Sequence, residues 1–191
     1  MFDEIIARYD ALALHTFAYT VTMPGSGVLA IEDAARRLGF DPAMVRGHEE
    51  PHSDCGLSLY QIGTGIVMFD RNPGGYRNET IDRLAGEGFR HWSLAFDIEG
   101  NTSMYVRYGD AEGHLEHPEE IWIPFTHWAD HLGPLVGYAE LLGAGYDTED
   151  GEAAVDMTSA CLAVIELESG VRLDDALIRS SHSGLPPLPM S

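Results

Sequence analysis

Cysteine is scarce: the 191-residue chain has two, Cys55 and Cys161, and no Cys-x-x-Cys pair. That excludes a zinc-ribbon or thioredoxin-type reading and leaves two reduced thiols as the expectation, one in a loop and one in a buried helix. Basic residues are scarce as well, 11 against 31 acidic ones, for a formal net charge of −20. Affinity for nucleic acid and for anionic membranes rests on Lys and Arg, so neither is an expected partner. No apolar run approaches the ~18 residues of a membrane span. Asp3 and Glu4 stand where a secretory signal would carry Lys or Arg, so a cytoplasmic location is expected. Neither a Gly-x-Ser-x-Gly nucleophile elbow nor a Gly-x-Gly-x-x-Gly or Gly-Lys-Ser/Thr phosphate loop occurs. No cofactor is expected.

What is present is apolar patterning. Hydrophobic residues make up 45% of the chain, which is the composition of a globular protein. Leu57 to Ile62 alternates apolar and polar side chains, the period of a half-buried strand. Gly63-Thr64-Gly65 turns the chain, and Ile66 to Phe69 is a continuous apolar run suited to a strand buried on both faces. Asp70 to Gly75 is a loop, Asn78 caps a helix through Ile81, Leu84 and Ala85, and Trp92 to Ile98 returns as a strand. Ser103 to Tyr108 and His114 to Glu116 follow across short turns. Upstream, residues 4–13 and 31–38 read as helices and Phe17 to Thr22 as a strand. Asp41-Pro42 starts a short helical turn. Downstream, Thr126 opens a helix facing inward through Trp128 and Leu132, and Pro134 opens another. Ala153 to Glu168 is apolar nearly all round, and Asp174 caps a last short helix. The expected fold is α+β: an antiparallel meander sheet of about five or six strands with helices packed on one face. A single domain is expected over residues 1–182, with a proline-rich tail over 183–191.

Three groups of residues carry possible chemistry. Tyr60, Trp92, Tyr105 and Trp122 could line a binding pocket between sheet and helices, although core and strand packing is the plainer reading of them. His127 and His131 are four apart on one helical face with Asp130 beside them, a spacing that can place two imidazoles on one metal. The polar loop 47–56 carries His48, His52 and Cys55 among carboxylates, and one of these could complete a zinc set, or the loop could be plain acidic surface.

The Gly65 to Asn72 strand and loop, the helix to Leu84, the Trp92 strand and the closing Glu168 to Leu173 stretch carry a family likeness. In these the chain resembles an uncharacterised bacterial domain family of unknown function, common in high-GC Gram-positive genomes. It departs at Ile66, where that family carries Trp, and at Pro73, where it carries Gly. The resemblance brings no activity and no functional residues.

Two functions remain open. One is an immunity- or adaptor-like cytoplasmic module that docks a basic partner through its acidic surface. The other is a small-molecule enzyme or binding protein with a pocket between sheet and helices, metal-assisted if the histidines meet. The crowded carboxylates also predict, at low salt, greater stability near about pH 5.5–6 than near about pH 8, unless histidines buried in the neutral form oppose it.

Overall fold

The computed structural model describes residues 2–10, 12, 16–48, 56–70, 83–117, 123–146 and 153–186. Residues 71–75 of the expected loop, the helix start at Asn78, His52, Cys55, Trp122 and the last prolines lie outside the described residues, and Asp70 ends a strand. Helix α1 (Phe2–Asp10) precedes strand β1 (Phe17–Pro24), and helix α2 (Ile31–Arg37) precedes β2 (Arg46–His48). Strands β3 (Leu57–Ile62) and β4 (Gly65–Asp70) form a hairpin, and β5 (Phe89–Phe96), β6 (Thr102–Tyr108) and β7 (Ala111–His117) a meander. Helices α3 (Thr126–Ala129), α4 (Ala139–Ala144), α5 (Met157–Ser169) and α6 (Asp175–Ile178) follow, before β8 (His182–Leu185).

One open sheet holds all eight strands in the order β2-β8-β3-β4-β1-β5-β6-β7. Every neighbouring pair is antiparallel. The fold is therefore α+β with an antiparallel sheet, larger than the five or six strands expected. The two additional strands, β2 and β8, are three and four residues long. Segments so short show no period of their own: β8 becomes a strand by pairing with β3, and β2 by pairing with β8. Residues 183–185, read from sequence as tail, thus lie inside the sheet between β2 and β3.

The expectation of helices on one face also needs correcting. Successive side chains of a strand point to opposite faces. On β4, Val67 and Phe69 join the larger core, which α1 and α5 cover, while Ile66 and Met68 join a second core with Ala34, Ala35 and Leu38 of the α2 segment. Both faces of this half of the sheet are closed by helix, because the unbroken apolar run of β4 must be shielded on both sides.

Local chemistry sets the element ends. Asp41 Oδ1 accepts from the Ala43 amide at 2.9 Å and Asp174 Oδ1 from the Leu177 amide at 2.8 Å, as their positions in the sequence predict. Asp156 caps α5 through the Ser159 amide at 2.6 Å, and Gly170 ends it at φ 72. Two carboxylates at the end of α5 then fasten the layers. Glu166 accepts from Tyr9 Oη at 2.6 Å and from Arg8 at 3.0 Å. Burial by itself would raise its pKa; the hydrogen bonds from Tyr9 and Arg8 and the charges of Arg8 and Arg172 bring it below the usual value. Glu168 accepts from Tyr108 Oη at 2.9 Å and Tyr138 Oη at 2.7 Å, and pairs with Arg90. Cys161 is fully buried in α5, and burial pushes its thiol pKa up, which keeps it unreactive. Among the described residues no helix is long and apolar enough to cross a membrane.

Candidate docking face and cleft

The meander β5–β6–β7 has one apolar and one polar face. Trp92, Leu94, Met104, Val106 and Leu115 point into the larger core. The alternate positions pair across the strands as Ser93 with Tyr105, Tyr105 with His114, Ala95 with Ser103, and Ser103 with Glu116. They form an open cleft of about 240 Å³ on the other face, lined by Ser93, Ala95, Ser103, Tyr105, His114 and Glu116. Glu116 and His114 are exposed, and Ser103 and Tyr105 half-buried. Beneath the cleft the hydroxyls of Thr20 and Ser93 lie 3.3 Å apart, both side chains buried.

The outer edge of the cleft is held by the segment after β7. The His114 amide donates to the His131 carbonyl at 2.9 Å, so the chain covers the edge strand. The His114 ring stands 5.4 Å from Trp128 and 5.0 Å from His131, and His127 stands 4.8 Å from Trp128 and 6.0 Å from His131. His127, Asp130 and His131 are exposed, and of the three His131 stands beside the cleft residue His114. His48 is far from them. It lies on β2, at the opposite end of the eight-stranded sheet, stacked at 5.5 Å on His182. Seven strand spacings separate the two edges, on the order of 30 Å. Among the described residues no three of His, Cys, Asp and Glu are placed to hold a metal ion.

Of the predicted aromatic residues, Tyr105 lines the cleft. Trp92 and Tyr60 are core side chains: Trp92 Nε1 donates to Tyr108 Oη at 2.8 Å, and Tyr60 Oη to the Ile178 carbonyl at 3.3 Å. His114, Ser93 and Glu116 were not legible as site residues, because strand register alone brings them together. Alternation along β6 and β7 was the one available signal, since it marks which residues share a face.

The next row of the same face contains a buried base. His91 is 0% exposed, and its Nδ1 lies 2.9 Å from Thr22 Oγ1. Its Nε2 has no hydrogen-bond partner among the described residues. Burial, aided by the charge of Arg107, lowers its pKa to about 3. The folded state therefore keeps His91 neutral where the unfolded chain binds a proton. Stability from this group is present above about pH 6.5 and is lost as pH falls toward the folded value. Between about pH 8 and about pH 5.5 the loss is about 1.4 kcal/mol, opposing the gain expected from relief of carboxylate repulsion. Urea unfolding in about 0.5 M salt, which screens that repulsion, should show stability falling by this amount. His91→Gln should remove the fall whatever it does to absolute stability. An unchanged slope in the variant would show that His91 is not the group responsible.

No family model matches the chain, and no curated protein or solved structure matches it.

Proposed function

We propose that the protein is an acidic interaction module of the immunity or adaptor kind, acting in the cytoplasm and docking a basic protein partner. The observation that carries this reading is where the arginines sit. Arg8 and Arg172 pair with Glu166, Arg90 with Glu168, Arg36 with Asp33 and Arg107 with Glu112. Five of the eleven basic residues are thus engaged by the chain's own carboxylates. Glu99, Asp110, Glu116 and Asp130, around the β5–β7 face, are exposed and have no ion pair among the described residues. A net charge of −20 so distributed steers a positively charged partner toward the surface and speeds its association. The alternative pocket between sheet and helices has lost two of its candidate linings, Tyr60 and Trp92, to the core.

Affinity capture with the intact chain, run at about 50 mM and about 500 mM salt, tests the reading. A photo-crosslinking residue placed at Ser103 reports the face. The expected result is a basic protein that crosslinks at low salt and is released at high salt. Partners that are insensitive to salt, or that are not basic, would overturn it.

A further inference from the structure

The geometry points to a two-histidine site for a divalent transition-metal ion of the zinc class, formed by His114 of β7 and His131 of the segment that covers it. The two residues are already tied backbone to backbone, since the His114 amide donates to the His131 carbonyl at 2.9 Å. That bond fixes where the side chains start, and their ring centres stand 5.0 Å apart. Zinc bonds an imidazole nitrogen at about 2.0–2.1 Å, so two imidazoles on one tetrahedral ion have centres roughly 5 Å apart. His127 and His131, the pair that sequence spacing favours, stand 6.0 Å apart, wider than such an ion spans. Helix α3 ends at Ala129, so His131 lies beyond it and the four-residue spacing does not set one helical face.

The chemistry agrees with the distance. Imidazole nitrogen suits zinc, copper and nickel, whereas magnesium and calcium take oxygen ligands. Among the described residues neither ring of His114 and His131 makes a hydrogen bond, unlike those of His91 and His182. Both side chains are exposed, so an ion reaches them without any opening of the fold. Glu112 and Glu116 flank His114 on the same face of β7, and Asp130 precedes His131. Arg107 pairs with Glu112, while Glu116 and Asp130 have no ion pair among the described residues. Their charge, within a net charge of −20, gathers cations at this edge. No third protein ligand is placed there among the described residues, so water takes the remaining positions on the ion. The bound ion staples the covering segment to β7 at the seam where Gly113 and Gly133 bring the two backbones into contact.

The probe is zinc chloride, titrated into the tag-free chain while the histidine ring resonances are followed by NMR. The expected result is saturable uptake of one ion per chain, with ring shifts centred on His114 and His131. Hydrogen exchange at the His114 amide should slow by about tenfold as the seam is stapled. Magnesium at the same concentration should not compete. His114→Gln and His131→Gln should each weaken binding on the order of a hundredfold, because each removes one of two ligands. His127→Gln and His48→Gln should leave it unchanged. The ring shifts of the parent chain locate the ion whatever a substitution does to folding. Absence of saturable uptake, binding that magnesium displaces, undiminished binding in His114→Gln, or a loss in His127→Gln as large as that in His131→Gln would each overturn the inference.

Discussion

Trp92→Ala is expected to lower the unfolding free energy by about 3–5 kcal/mol. The indole is 0% exposed at the centre of β5, among Val21, Leu94 and Val106 of the larger core. Truncation removes its transfer energy and leaves a void that a sheet pinned on both sides by β1 and β6 closes poorly. It also breaks a polar chain. Trp92 Nε1 donates to Tyr108 Oη, and Tyr108 Oη donates to Glu168 Oε2. Tyr108 has its pKa pushed up to about 12, chiefly by burial and then by Glu168, against the lowering effect of Arg90 and Trp92, so it remains a donor throughout the neutral range. Trp92→Phe keeps most of the packing and loses the hydrogen bond, and should cost about 1–2 kcal/mol. Chemical denaturation of both variants against the parent chain gives the two values. A loss below about 1 kcal/mol for Trp92→Ala would mean the indole borders an open pocket, which would return the sheet–helix pocket to consideration.

Gly113→Ala is expected to cost about 3 kcal/mol and to make the protein self-associate. Gly113 on β7 faces the backbone of the covering segment. A Cβ there would fall inside the contact radius of the Leu132 carbonyl oxygen and only 2.7 Å from its carbonyl carbon. Across from it Gly133 adopts φ 51, a left-handed conformation that glycine accepts freely. Its own Cβ would in turn meet the Glu112 carbonyl. Both obstacles are backbone, so neither yields by a rotamer change. The segment must lift from β7, losing the hydrogen bond from the His114 amide to the His131 carbonyl and disturbing buried Leu132, Leu135 and Trp128. The uncovered edge strand then offers unpaired amides and carbonyls to a second molecule. Gly47→Ala is the control, since a Cβ at Gly47 meets nothing within 4 Å. Denaturation measures the stability loss and gel filtration over a concentration series the association. If Gly113→Ala proves as benign as Gly47→Ala, the covering segment is not tightly seated.

Much of the fold was legible along the chain. Ile66 to Phe69 is apolar at every position, and both faces of β4 are buried as that pattern requires. Asp41-Pro42 and Asp174 mark helical starts through hydrogen bonds that reach only two or three residues. The apolar stretch before Gly170 is the buried helix α5. In each case the cause lies within one element, so the residues that cause the structure are neighbours in sequence. The helix opened by Thr126 was less legible. α3 spans only Thr126–Ala129, its N-cap residue is Phe125 with no side-chain cap, and the inward Trp128 and Leu132 are set by packing against β7.

The sequence by itself determined the α+β class, the acidic charge and most of the strands, because periodicity, turn chemistry and composition are local properties. Only the tertiary structure decided the sheet's full width, its two cores and the cleft. β2 and β8 exist by pairing stretches that are far apart in the chain and share no local signal, with β8 also paired to β3. Tyr105 was singled out as an aromatic residue, yet its neighbours Ser93, His114 and Glu116 come to it through hydrogen-bond register between three strands. His91 carries no local signal in sequence, and burial beside Thr22, aided by the charge of Arg107, makes it a base held neutral. Register and burial are properties of elements in combination, and no single stretch of the chain contains them.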